Sequence, residues 1–401
     1  MPFPVPKPPA SLEFPRIKVS RRGAKRIQDG HVWVYRSDVI AADEVAPGAV
    51  VQVCDERGKF LGTAFYSSAS QIAIRLISRE MVKDLNALLR DRLRAAIAYR
   101  ERVVRDTDAY RVVFSEADFL PGLIVDRYND LLSFQVLTQA TDTEPVRETL
   151  VAELTEQLHP AALGERVEPK IRELEQLPAR SSGLVEGDKG STVFCMNSVR
   201  FHYDVKEGQK TGAFLDQREN YAAAAQYARG QALDVFCYQG GFALHLAQAG
   251  CKVTGVDSSR PALEVADRNA ALNSREIEWI EGNSFDVLRD YAKSGQRYDT
   301  IVLDPPAFAK SKRDLDTALR GYKELNLRAL KMLRSGGILV TCSCSYHVSA
   351  AEFLATVAEA ARDAHRELRI LDSRTQAKDH PILASVPETS YLKCLLVCVS
   401  N

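Results

Sequence analysis

From Ala232 onward, short apolar runs alternate with longer amphipathic stretches. Runs at 233–236, 252–256, 277–280, 300–303 and 337–341 predict strands. The segments between them, at 242–249, 260–273, 284–292 and 314–333, carry the wider apolar spacing of helices. Repeated β-α units of this kind specify a Rossmann-like α/β domain, a mostly parallel sheet with helices on both faces. A final apolar run at 391–399 adds a strand.

Upstream the pattern changes. Strand-like runs at 49–53, 61–65 and 72–76, separated by turn residues, predict a small β-rich module, with one short basic helix at 21–28. Leu85, Leu88, Leu89, Leu93, Ile97 and Tyr99 predict a helix over 82–104. Segments 123–128 and 131–137 read as a hairpin across Asn129 and Asp130, and 146–158 as another helix. Residues 165–190 are polar and broken by Pro169 and Pro178, which reads as a connecting region, and 193–205 as a hairpin leading into the last domain. The expected order is a flexible arm at 1–13, a β-rich domain at 14–80, a central α/β domain with its connector at 81–190, and the Rossmann-like domain at 191–401.

Composition narrows the class. A chain of 401 residues suits two or three domains, and 45% hydrophobic with 26% charged residues is ordinary for a globular protein. No window approaches the ~20 apolar residues of a membrane span, and the proline-rich start lacks the apolar core of a secretion signal. A cytoplasmic protein is expected. The eight cysteines include no Cys-x-x-Cys pair and no accompanying histidine cluster, which argues against zinc or any other metal. Net charge is zero, but between Arg16 and Arg36 seven basic residues face Asp29 alone, a local charge of +6. Arg21, Arg22, Lys25 and Arg26 of that stretch are candidate phosphate contacts, with a solvated helix face as the alternative.

The turn after the first Rossmann strand reads Asp234-Val235-Phe236-Cys237-Tyr238-Gln239-Gly240-Gly241. Phe236 and Tyr238 stand where a dinucleotide fingerprint has glycines, which let the backbone approach a pyrophosphate. Bulky residues there argue against NAD and suit a cofactor without phosphate, such as S-adenosylmethionine. Gly240 still allows a tight turn. Asp257, 23 residues after Asp234 and followed by Ser258, ends the second strand, where an acid can accept from ribose hydroxyls. Asn283-Ser284-Phe285 follows the third strand, and is placed for Asn283 to bond an adenine amino group and Phe285 to pack on the ring.

Asp304-Pro305-Pro306-Ala307-Phe308 ends the fourth strand, and Cys342-Ser343-Cys344 the fifth. Open parallel sheets bind ligands at such strand ends. The proline pair fixes the backbone without N–H donors of its own, and with Phe308 can hold a flat base by edge and face. Carbon-5 of a pyrimidine is a poor nucleophile, but thiolate addition at carbon-6 makes it enamine-like and able to take a methyl group. Asp304 would stabilise the adduct at N3 and N4. Cys342 and Cys344 share a face on an extended segment, and Cys344 is favoured because it lies further past the strand end.

Several longer strings are more specific. They are Lys210-Thr211-Gly212-Ala213-Phe214-Leu215-Asp216-Gln217-Arg218, the 238–242 turn, Asp304-Pro305-Pro306, Gly321-Tyr322-Lys323-Glu324-Leu325-Asn326, Ser343-Cys344-Ser345, Asp379-His380-Pro381, and 120–127 in the middle of the chain. On these the chain, from about Phe14 to Asn401, resembles the bacterial cytosine-C5 methyltransferases of large-subunit ribosomal RNA that carry an N-terminal PUA domain, the RlmI type. The resemblance implies S-adenosylmethionine, a cytosine of 23S rRNA or of a large-subunit assembly intermediate, Cys344 as nucleophile, a PUA fold for the first module, and a homodimer. It also puts Gln217 and Arg218 beside the cofactor. Asn283 replaces the family's usual Asp, and Cys342 a position that is often aromatic. Two other readings compete: a guanine methyltransferase needing no cysteine nucleophile, and a non-catalytic ribosome-assembly factor that binds RNA.

Overall fold

The computed structural model describes residues 14–42, 44–206, 212–309 and 311–400. The expected arm at 1–13, and Lys210 and Thr211, lie outside the described residues.

The first module is a six-stranded sheet ordered Trp33–Tyr35, Ile72–Ser78, Phe60–Tyr66, Val50–Cys54, Arg16–Val19, Val39–Ala42. The expected helix is Arg21–Gln28, whose N-terminus is capped by the Ser20 side chain accepting from the Gly23 N–H. It buries Ala24 and Ile27 in the core beneath the sheet and leaves most of its charged side chains outward.

The central unit is a five-stranded sheet ordered Gly183–Gly187, Ala162–Glu165, Leu131–Val136, Leu123–Tyr128, Ala109–Phe114. Helices Leu85–Val103 and Glu144–Leu158 seal it through Leu89, Leu93, Leu150 and Leu154 against Val125 and Phe134. One expectation fails here. The polar 165–190 stretch is more than a connector: it holds a helix, Pro169–Leu174, and the edge strand Gly183–Gly187, paired antiparallel with Ala162–Glu165. An edge strand open to solvent on one side carries little apolar signal.

In the last domain, labels run in chain order: β1 (Gln231–Val235), α1 (Gly241–Gln248), β2 (Lys252–Asp257), α2 (Arg260–Leu272), β3 (Glu278–Glu281), α3 (Ser284–Lys293), β4 (Tyr298–Leu303), α4 (Leu315–Met332), β5 (Leu333–Ser343), α5 (Ala350–Asp363), β6 (Glu367–Arg374) and β7 (Lys393–Ser400). The sheet order is β3-β2-β1-β4-β5-β7-β6. The first five strands pair in parallel, while β7 runs antiparallel between β5 and β6. Alternation along β4 and β5 feeds both helical layers: Val302, Val340 and Cys342 enter one core, and Ile301, Leu303 and Leu339 the other. Each such fully buried aliphatic side chain contributes about 1.5–3 kcal/mol.

The chain order reverses between β1 and β4, so the ends of β1, β2, β4 and β5 open onto one crevice. A buried latch joins this domain to the central unit. The Arg218 guanidinium donates to both Asp379 oxygens, at 3.1 and 3.2 Å, and to the Ala109 carbonyl at 3.4 Å. Asp379 also accepts from the Arg111 N–H at 2.8 Å, and its own carbonyl accepts from Arg100 at 2.7 Å.

Candidate active site

The crevice contains a cavity of about 270 Å³. Its floor begins at the β1 turn. The Asp234 carboxylate accepts from the Ala243 N–H at 2.8 Å and so ties α1 to the strand. Phe236 and Tyr238 both adopt left-handed backbone, φ 67° and 49°, unusual for aromatic residues. The turn holds them there: the Phe236 and Cys237 N–H groups donate to the Val256 carbonyl, and the Tyr238 N–H to Asp257 Oδ2 at 2.9 Å. Gly240 is needed at φ 86°, where a Cβ would lie 3.1 Å from the Trp279 ring.

Asp257 also accepts from the Ser259 N–H at 2.8 Å through its other oxygen. Each oxygen is thus oriented by one backbone donor, and each has further lone-pair capacity for a diol on the cavity side. Asp234 plays a different part. Burial, opposed by the Ala243 N–H and reinforced by Asp304 and Asp257, pushes its carboxyl up to about 8. It is a strut that ties α1 to β1 rather than part of the cavity wall.

The opposite wall is Asp304, Pro305, Pro306 and Cys344. Two side chains align it. Ser345 Oγ accepts from the Phe308 and Ala309 N–H groups, at 3.0 and 3.1 Å, and shares a 2.9 Å hydrogen bond with the Tyr322 hydroxyl of α4. Lys393 of β7 donates to the Ser345 carbonyl at 2.6 Å and to the Tyr391 carbonyl at 2.9 Å. The Cys344 thiol lies 3.8 Å from the Pro305 carbonyl. The end of β5 and the proline turn are therefore cross-braced.

The two cysteines separate clearly. Cys342 is fully buried beside Cys394, and burial, with Cys394 adding to it, pushes its thiol well up. Cys344, just past β5, lines the cavity.

Of the residues singled out from the sequence, the cavity wall gathers Gln217, Phe236, Tyr238, Asp257, Ser258, Asp304, Pro305, Pro306 and Cys344. Others lie off it. Arg218 is spent on the Asp379 latch, so a direct cofactor contact is corrected to a buried ion pair. Phe308 turns away from the cavity and packs on Tyr322 and Phe285, with ring centroids 4.8 and 6.0 Å apart. Gly321 makes room for it on α4. Asn283 caps α3, accepting from the Phe285 and Asp286 N–H groups. Ser284, Asp234 and Gly240 are buried and do not line the cavity. The sequence reading missed Tyr221 and Leu392 on the wall, and Ser345 and Lys393 behind it. Tyr391-Leu392-Lys393 read only as the start of a strand.

At the basic helix, Arg22 pairs with Asp38 at 2.7 Å and Lys25 with Asp29 at 3.0 Å, so the patch is less positive than its sequence. Arg26 stacks 4.6 Å over Tyr35. Arg22, Lys25 and Arg26 border a groove whose other side includes Tyr346 and Glu388. Tyr346 is 43% exposed and two positions from Cys344, so this groove runs up to the cysteine loop. Arg21 lies outside the groove wall, its N–H donating to Glu56. Among the described residues, no cluster of His, Cys, Asp and Glu fits a metal ion, and no helix is long and apolar enough to cross a membrane.

Comparisons with known proteins agree with this arrangement. Residues 17–79 match the PUA-like domain family, and 141–397 the S-adenosylmethionine-dependent methyltransferase family. The chain is 39% identical over 396 residues to ribosomal RNA large subunit methyltransferase I of Shewanella amazonensis, covering 96% of this chain and 99% of that one. It is 40% identical over 384 residues to the protein of the same name in Tolumonas auensis, covering 92% and 95%. A solved Streptococcus mutans protein assigned as a SAM-dependent methyltransferase superposes with TM-score 0.81 at 19% identity, over 96% of this chain and 99% of that one, a likeness of fold.

Proposed function

Because this chain belongs to the S-adenosylmethionine-dependent methyltransferase I family of large-subunit ribosomal RNA, we propose that it methylates carbon-5 of a cytosine in 23S rRNA through a covalent adduct with Cys344. The observation that carries this reading is the shared cavity of Cys344, Asp304 and the proline pair at the ends of β5 and β4.

The residues present fit the cofactor. Asp257 has acceptor capacity for a ribose diol, and Phe236, Tyr238 and Gln217 form a wall without a phosphate cradle. S-adenosylmethionine, when bound, supplies an electrophilic methyl group on sulfonium. Cys344 acts on the other partner. Its thiolate forms a bond to carbon-6 of the base, which makes carbon-5 nucleophilic. Asp304 stabilises the adduct at N3 and N4. After methylation, loss of the carbon-5 proton re-forms the ring double bond and expels the thiolate.

The test is product analysis. Ribosomal RNA lacking the modification, incubated with methyl-labelled S-adenosylmethionine and digested to nucleosides, should give labelled 5-methylcytidine. Labelled methylguanosine would overturn the reading in favour of a guanine enzyme. Cofactor binding without transfer would favour an assembly factor.

The groove beside the cysteine loop supports an RNA path in which Tyr346 stacks on a nucleotide flanking the target, with Arg22, Lys25 and Arg26 toward the phosphates. Base–aromatic stacking contributes about 1–3 kcal/mol per base. Tyr346→Ala should therefore raise KM for RNA roughly five- to 150-fold, with cofactor affinity unchanged and Tyr346→Trp restoring binding. An unaltered KM would remove Tyr346 from the path. Family membership also supports a cytoplasmic homodimer, which sedimentation would register as twice the 44.5 kDa of one chain.

A further inference from the structure

Lys393 is chemically out of place. It sits half-buried at the start of β7, opposite Ser343 at the end of β5, where the cysteine loop departs. Among the described residues no carboxylate lies within ion-pairing distance of it. Two of its three N–H donors are taken by the carbonyls of Ser345 and Tyr391. Partly burying an ammonium without a counter-charge is costly, and a lysine is poorly suited to bracing a loop when a neutral donor would serve.

The neighbouring groups indicate what the charge is for. Tyr322 on α4 reaches the loop through Ser345, Asp304 faces it from the proline turn, and Cys342 and Cys394 are buried thiols of the adjoining strands. Tyr346 lies further along the loop, toward the groove. Asp304 and Asp257 line the same cavity as Cys344, and acidic groups there work against a further negative charge, so a cation favours the thiolate. Burial holds the Lys393 ammonium down to about 8, and the charge that pulls it back up is that of Cys344. Such coupling is mutual: a thiolate that favours the ammonium is favoured by it.

We propose that Lys393 is the counter-charge of the Cys344 thiolate, a positioning residue whose ammonium braces the Ser345 carbonyl and pairs with the sulfur once the thiol proton has passed to water. No bond other than S–H breaks in this step, and the sulfur keeps the electron pair with which it attacks carbon-6. The inference rests on Cys344 being the nucleophile.

Thiolate titration tests it in the full-length protein without RNA. Alkylation of Cys344 by iodoacetamide is followed from pH 5.5 to 9.5 by mass spectrometry, with fragmentation that separates Cys344 from Cys342. The inflection in wild type should fall below the roughly 8.5 of a free thiol. Lys393→Gln keeps donors for the Ser345 carbonyl but loses the charge. It should move the inflection up by about one pH unit, a tenfold loss of thiolate near neutral pH. Lys393→Arg should largely restore it. S-adenosylmethionine binding by calorimetry checks that each variant is folded.

Superimposed wild-type and Lys393→Gln profiles would overturn the proposal. If that variant does not fold, a wild-type inflection at or above about 8.5 overturns it alone. The 5-fluorocytosine adduct is read separately. Adduct formation with an unshifted titration sinks the lysine's part only. A shifted titration with no adduct sinks attack by Cys344 instead.

Discussion

Cys344→Ala is expected to lower methyl transfer to ribosomal RNA by roughly a thousandfold or more, about 4 kcal/mol of transition-state stabilisation. Affinity for S-adenosylmethionine should stay within a few-fold, because the residues to which we assign the cofactor, Asp257 and the 236–238 turn, do not include Cys344. With 5-fluorocytosine-substituted RNA, fluorine blocks release, so wild type should accumulate a protein–RNA adduct that the variant lacks. Cys342→Ala makes the contrast. Its thiol is fully buried beside Cys394, out of the cavity wall. Its loss should cost about 1 kcal/mol of stability and leave the adduct in place. An adduct that survives Cys344→Ala but disappears in Cys342→Ala would transfer the nucleophile to the strand interior.

The second large effect is on stability. Asp379→Asn should destabilise the protein by about 3–5 kcal/mol at pH 7, because Arg218 is then buried without its main counter-charge. Glu219, 3.6 Å away and partly exposed, offers Arg218 a weaker partner. Acid should erase the difference. Burial alone would raise the Asp379 carboxyl, but the charges of His380 and Arg218 and the Arg111 N–H outweigh it and hold it well below the usual carboxylate range. A carboxyl lower in the folded state contributes its full stability above the unfolded value of about 4. That contribution is lost as pH falls from there through the folded value. Urea unfolding of both proteins should therefore converge as pH drops below about 4. Parallel curves down to the acid limit would mean that the latch is not ionic.

How much of this was legible in the sequence follows from burial. β4 is covered on both faces, so Thr300 to Leu303 appears as an unbroken apolar run, and the β-α rhythm gives the sheet directly. Strand ends then locate Asp257, Asp304 and Cys344, because a parallel sheet gathers those ends on one side. β6 escaped notice. Glu367–Arg374 is an edge strand, half of it charged. Side-chain direction was beyond reach for another reason. Nothing in Pro305-Pro306-Ala307-Phe308 tells that the Ser345 hydroxyl will hold the turn so that the ring packs on α4. Arg218 follows Gln217 directly, yet one faces the cavity and the other a carboxylate 161 positions away. Such pairings are properties of the closed fold, not of local pattern.

The place of β7 has a consequence for the timing of synthesis. It follows every other strand in the sequence but lies between β5 and β6 in space. Until residues 393–400 leave the ribosome, β6 has no strand partner, and β5 keeps an open edge available to any other nascent chain. The turns after β1 and β2 can already be formed by then, but the cysteine loop still lacks the lysine that braces it. Competence for chemistry thus waits for residues 393–400, after β6 has been made. A product that stops at Tyr391, before β7, should sediment as aggregate rather than accumulate as a half-active enzyme.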